Sequence, residues 1–151
     1  MRIAFSNDHA GAPMREHLLP ILKQLGHEVL DFGADGQASV DYPDYASPAL
    51  RALISGQVER TILVCGSGVG MSIVANRIPG VRCALAVDVW TAEMSRRHND
   101  TNCLALRARE QDPKVNVAIV EKWLATDFEG DRHRRRIEKI EEIAAALRKE
   151  L

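Results

Sequence analysis

The stretch Cys65-Gly66-Ser67-Gly68-Val69-Gly70 carries the most chemistry in this sequence. Because glycine lacks a Cβ, Gly66, Gly68 and Gly70 let successive backbone N–H groups converge on an anion where a helix begins. Cys65 stands immediately before them, where the positive end of that helix would favour a thiolate over a free thiol, whose pKa is about 8.5. The loop is not a dinucleotide fingerprint, since Met71 occupies the place of the third glycine in G-x-G-x-x-G. Nor is it a P-loop, which needs Gly-Lys-Ser/Thr, or a Cys-x5-Arg phosphatase loop, which would put Arg at Met71. The bland alternative is a tight strand-to-helix turn that binds nothing.

Two further groups offer acid–base chemistry. Asp8-His9 and His98-Asn99-Asp100 each set an imidazole beside hydrogen-bonding neighbours. No histidine pair has the His-x3-His spacing of a helical metal site, and no metal is assigned. Arg132-His133-Arg134-Arg135-Arg136 is the one strong basic run. On a helix, Arg132 and Arg136 are four residues apart and share a face, so their guanidinium groups could grip one phosphate. Against this stands a solvated face balanced by Glu138, Glu141 and Glu142.

The elements that must position these groups follow from the pattern of apolar runs and punctuation. Arg2–Ser6 reads as a strand, followed by a helix opened by Pro13 and closed by Gly26, then a strand over Glu28–Phe32. A helix over Tyr45–Ile54 precedes TILVC at Thr61–Cys65, a continuous apolar run expected of a central parallel strand buried on both faces. Further strands are expected at Arg82–Val87 and Cys103–Leu106. Helices are expected from the glycine loop to about Asn76, over Thr91–His98 capped by Asp88, and from Pro113 to about Ala125. From Asp131 a last helix carries Ile137, Ile140, Ala144, Leu147 and Leu151 on one stripe, which must pack on something. The fold class is therefore α/β: a three-layer, doubly wound, Rossmann-like sheet of five parallel strands in a single domain over residues 1–151. Ligands of such sheets bind beyond the carboxyl ends of the strands, so function is expected in the loops Asn7–Gly11, Cys65–Gly70 and His98–Asn102.

Composition narrows the partners. The chain has 151 residues, 20 Lys plus Arg against 21 Asp plus Glu, and a net charge of −1, which argues against a nucleic-acid coat or a polybasic membrane binder. The N-terminus lacks the apolar region of a signal peptide and no window offers about 18 uninterrupted apolar residues, so a cytoplasmic protein is expected. Cys65, Cys83 and Cys103 are odd in number and widely spaced, which fits neither a disulfide framework nor a zinc site. Cys83 and Cys103 read as core residues.

Taken in order, SNDHAG, DYPDYA at Asp41–Ala46, CGSGVGMSIVANR at Cys65–Arg77, SRRHNDTN at Ser95–Asn102 and EGDRHRRRI at Glu129–Ile137 resemble the B-type ribose-5-phosphate isomerases. These stand with the galactose- and allose-6-phosphate isomerases, and the likeness spans nearly the whole chain. The resemblance implies aldose–ketose isomerisation of a sugar phosphate through a cis-enediolate, in the pentose phosphate pathway, without metal or organic cofactor. It gives Cys65 the part of catalytic base; Met71 stands where some members place a glutamate, which marks the cysteine branch. Ser67 and His98 match residues for ring opening and hydroxyl protons. Asp8, Tyr42 and Asn99 match sugar contacts, and His9, Arg132, Arg136 and Arg109 match the phosphate site, Arg109 often across a subunit interface. The glycines 66, 68 and 70 would supply oxyanion amides. The family also implies a homodimer or tetramer with shared sites and the last helix packed on the partner. Leu106-Arg107 departs from the small residue or glycine common among relatives, which leaves four- and six-carbon sugar phosphates open. The alternative of another class is a non-catalytic sugar-phosphate-binding subunit.

Overall fold

The computed structural model describes residues 1–150. Five strands, β1 (Arg2–Asn7), β2 (Glu28–Asp31), β3 (Arg60–Cys65), β4 (Cys83–Leu85) and β5 (Cys103–Arg107), form one sheet in the order β2-β1-β3-β5-β4, every neighbouring pair parallel. The six helices are α1 (Ala12–Gln24), α2 (Tyr42–Ile54), α3 (Val69–Ala75), α4 (Val89–Asn99), α5 (Pro113–Ala125) and α6 (Asp131–Glu150).

Alternation along the strands divides the core into two layers. Ile3, Phe5, Ile62, Val64, Leu104 and Leu106 point to one face, where Leu18, Leu22, Ile119 and Trp123 of α1 and α5 cover them. Ala4, Leu63, Cys65, Cys103 and Ala105 point to the other, against Ala46, Ala49 and Leu50 of α2 and Met71 and Ala75 of α3. Side chains on this second face are mostly small, so α2 and α3 ride close to the sheet and bring their loops against its carboxyl edge. Trp123 is fully buried, and its indole N–H is satisfied by Thr101 Oγ1 at 2.8 Å.

Two expected elements change by three residues, while other ends shift by one or two. The second helix begins at Tyr42 rather than Tyr45, because Asp41 is extended (ψ 117°) and Pro43 in the first turn has a φ already suited to a helix. Strand β4 is three residues long rather than six. It is an edge strand whose Cys83 N–H and C=O are taken by the Asn76 side chain at 2.9 and 3.0 Å, which ties off that edge. Helix α6 buries only His133 and leaves Ile140, Ile143 and Leu147 about half exposed. No helix among the described residues is long and apolar enough to cross a membrane.

Candidate active site

The carboxyl ends of β1, β3 and β5, three adjacent central strands, feed a cleft of about 590 Å³. The cleft lies where the sheet reverses its winding, as expected of this architecture. It brings together Asp8, His9, Tyr42, Cys65, Gly66, Ser67, Gly70 and Arg109 of the residues singled out above. It also takes in Arg107 and Glu110, which sequence reasoning did not place in a site.

Cys65 ends β3 and is 4 % exposed. Its Sγ accepts the Gly68 N–H at 3.1 Å, a direct main-chain donor to the sulfur. Gly68 is required there by geometry. Its φ is +77°, and a Cβ would stand 2.5 Å from Leu85 Cδ1 and 3.1 Å from the Leu106 carbonyl oxygen. At Gly70 a Cβ would meet the Tyr42 ring at 2.8 Å, so the absence of a side chain lets the phenol lie over the loop. Ser67 is exposed, and its Oγ accepts the Val69 N–H at 3.3 Å.

Across the cleft, Asp8 is 6 % exposed and one carboxylate oxygen accepts the Gly11 N–H at 2.8 Å, leaving the other for a ligand. His9 Nδ1 accepts the Val40 N–H at 3.1 Å, so the neutral ring carries its proton on Nε2 and offers it as a donor. The stem of Arg109 crosses Gly66: a Cβ there would lie 3.4 Å from Arg109 Cδ and Nε.

His98, Asn99, Arg132 and Arg136 are not in this cleft. The expectation that the turn His98–Asn102 sits at the carboxyl edge fails on topology: Cys103 opens β5, so the turn precedes that strand at the amino edge. Helix α4 carries the chain back from the carboxyl edge, and its 11 residues span about 16 Å at 1.5 Å per residue. There His98 stacks on His133, with ring centroids 4.3 Å apart and planes 10° from parallel. Their Nε2 atoms lie 3.8 and 3.5 Å from Glu129 Oε2, and Arg97 holds the other oxygen of Glu129. Burial first, then the adjoining His98 and Arg132 charges, holds His133 below the ordinary histidine range. The Arg97 hydrogen bond pulls the Glu129 carboxyl below its ordinary value. His133 Nε2 has no hydrogen-bond partner, and the donor atoms of His98, Glu129 and His133 lie within 4.8 Å of one another, a group that could ligate a cation. The sequence signal for it is Glu129 and His133 at i,i+4. Arg97, Arg132 and Arg136 surround it with positive charge, which suits an anion better. Arg132 and Arg136 are exposed, one turn apart at the start of α6.

Among the other cysteines, Cys103 is fully buried, and burial raises its thiol well above the ordinary value; Cys83 is partly buried. Neither reaches the cleft.

The fold is thus a parallel α/β sheet with a thiol, a glycine loop and basic side chains at its switch point, groups whose chemistry could hold a small anion. A sequence profile described as Ribose/Galactose Isomerase matches residues 3–140, and the chain belongs to that family. It is 47 % identical over 141 residues to the candidate sugar phosphate isomerase YwlF of Bacillus subtilis, covering 93 % of this chain and 95 % of that one. With the ribose-5-phosphate isomerase B of Escherichia coli it shares 40 % identity over 142 residues, covering 94 % and 95 %. The structure of the Clostridium thermocellum ribose-5-phosphate isomerase B superposes with a TM-score of 0.94 at 42 % identity, covering 97 % and 99 %.

Proposed function

We propose that this chain is a sugar phosphate isomerase that interconverts ribose 5-phosphate and ribulose 5-phosphate without a cofactor, with Cys65 as the base. The observation that carries the reading is the Cys65 sulfur under the Gly68 N–H in a cleft lined by Asp8, His9, Tyr42, Ser67 and Arg109. Removing a proton α to a carbonyl builds charge on oxygen, and amides fixed beforehand are the most effective means of stabilising it. Cys65 takes the C2 proton; the C–H electron pair becomes the C1–C2 double bond, and the carbonyl electrons settle on O1. The O2 hydroxyl proton then passes to O1, the O2–H pair becomes the C2 carbonyl, and the C1–C2 double-bond pair takes the proton back from Cys65 at C1. Asp8, Tyr42 and Asn99 hold sugar hydroxyls, while Ser67 and His98 serve ring opening and carry the hydroxyl protons.

His9, Arg109, Arg132 and Arg136 hold the phosphate. Since His98 and Asn99 end α4 at the opposite edge of the sheet from Cys65, and the two α6 arginines lie outside its cleft, they belong to the site of a second copy. The exposed Ile140, Ile143 and Leu147 on the same helix support a homodimer. A cytoplasmic enzyme of carbohydrate metabolism agrees with this reading.

The test is a panel of four-, five- and six-carbon aldose phosphates assayed with EDTA present. Turnover fastest on ribose 5-phosphate and unaffected by chelation is expected. Inactivity on every sugar overturns the enzyme reading, and loss on chelation overturns the metal-free mechanism. In Cys65→Ala, exchange of the C2 proton should fall at least about a hundredfold, as for removal of a group acting in the transition state. Full turnover in that variant would assign the base elsewhere.

A further inference from the structure

We propose that Arg107 is a further catalytic residue of this cleft, donating its guanidinium N–H groups to the enediolate oxygen as charge builds there. The proposal rests on the isomerase reading. Arg107 ends β5 in register with Cys65 on β3, and alternation puts its side chain on the Cys65 face with Cys103 and Ala105. It lines the same cleft, and its main-chain carbonyl is fixed by the buried Asn116 side chain at 2.9 Å.

The guanidinium is aimed rather than free. Arg107 Nε donates to Gln111 Oε1 at 2.8 Å, and Gln111 Nε2 donates in turn to the Val87 carbonyl at 3.1 Å. That relay occupies Nε alone. Among the described residues no carboxylate lies within 4.0 Å of the terminal nitrogens, although Glu110 lines the same cleft. A partly buried guanidinium with its terminal nitrogens unpaired is held ready for an external oxyanion. Arg109, by contrast, lies across Gly66, and in the proposed reading it holds the phosphate with His9. Arg107 sits on the neighbouring strand, level with the sulfur itself. The atoms placed opposite it in the proposed reading are therefore those about the C1–C2 bond, O1 among them. When the C2–H pair moves into the C1–C2 bond and the carbonyl pair moves to O1, the new negative charge meets the terminal N–H groups, and no proton needs to leave the arginine.

The experiment compares wild type with Arg107→Lys, Arg107→Met and Gln111→Leu on the best sugar phosphate of the panel, with Tm recorded for each. Affinities are measured for two inhibitors of matched length: a phosphorylated aldonohydroxamate, planar and anionic like the enediolate, and the alditol phosphate, which keeps only the hydroxyls and phosphate. Arg107→Met is expected to lower kcat about a hundredfold, as for loss of one oxyanion donor. It should weaken the hydroxamate by a similar factor and change the alditol phosphate by less than about threefold, with lysine recovering part of the loss. Gln111→Leu, which frees the guanidinium without removing it, should fall between. Equal weakening of both inhibitors, or an unchanged kcat in a folded Arg107→Met, overturns the proposal. An active wild type with an indifferent Arg107 variant overturns this assignment alone, whereas a wild type inert on every sugar overturns the isomerase reading with it. Should Arg107→Met fail to fold, Arg107→Lys and Gln111→Leu decide the matter by the same inhibitor ratio.

Discussion

Replacing Gly68 by alanine separates two costs that the fold combines at one residue. The first is conformational: φ is +77°, and an L-residue held in that region costs about 1–2 kcal/mol. The second is steric. The new Cβ would stand 2.5 Å from Leu85 Cδ1, which can rotate away, and 3.0 Å from the Leu106 carbonyl carbon, which is locked in the central strand β5. Overpacking of that kind costs about 1–3 kcal/mol. Together they predict a loss of about 2–5 kcal/mol, or roughly 4–20 °C in Tm for a chain of this size. Gly26 is the control, since its φ is +78° and nothing lies within 4 Å of its Cβ position. Gly26→Ala should lose only the conformational part, about 1–2 kcal/mol. Urea melts of the three proteins give the difference directly. Because the Gly68 N–H is the donor to Cys65 Sγ, kcat should fall about a hundredfold in Gly68→Ala and hold in Gly26→Ala. Equal destabilisation at both positions, with kcat intact at Gly68, would refute the claim that the Leu106 main chain sets the loop against the thiol.

Other consequences are as direct. Arg96 is 7 % exposed and donates to the Thr101 carbonyl at 2.6 Å, the Thr126 carbonyl at 3.2 Å and Asp100 at 2.8 Å. Arg96→Ala leaves both carbonyls without that donor, Asp100 keeping Arg82 at 3.1 Å, and should cost about 3 kcal/mol in urea unfolding, with a loss below about 1 kcal/mol refuting the assignment. His133 is held below its unfolded value, so the unfolded chain binds more protons and stability falls as pH drops through the ordinary histidine value toward the folded one. Melts between pH 7.5 and 5 should show that fall in wild type and a flatter profile in His133→Phe. The Glu129 carboxyl is also depressed, but its contribution is lost only below the ordinary carboxylate range, outside that window.

Much of the fold was legible because its signals are local. TILVC reads as a doubly buried strand, and β3 is indeed central; Asp112-Pro113 starts α5 with the Asp112 side chain accepting the Lys114 N–H at 2.9 Å. One misjudged element was decided by partners outside its own run. Arg82–Val87 has the composition of a longer strand, yet β4 pairs with β5 only over Cys83–Leu85, and the Arg82 N–H before it is taken by the Asn102 side chain at 2.9 Å. The start of α2 is instead a local signal that apolar spacing does not carry: Asp41 and Pro43, on either side of Tyr42, set the turn.

The site divides along the same line. Asp8, His9 and Cys65–Gly70 each follow a strand, so the α/β rule finds them together from sequence alone. His98 could not be placed that way, since a histidine at the end of a helix and one at the mouth of a strand look alike until the next strand's direction is known. Parallel order decides it. Every strand must start at one edge and finish at the other, so the end of α4 belongs to the edge that Cys65 has left. The two sets of residues gathered by the family motifs therefore occupy opposite ends of one chain, and no rotamer or loop movement closes a helix-length gap in a packed sheet. A complete site then requires either that the chemistry proceed without the α6 arginines, or that a second copy present its amino edge to the first. Mixing Cys65→Ala chains with Arg136→Ala chains tells these apart. If the site is shared, heterodimers regain one intact site, and activity returns on mixing two weakly active proteins. If each chain works alone, mixing restores nothing.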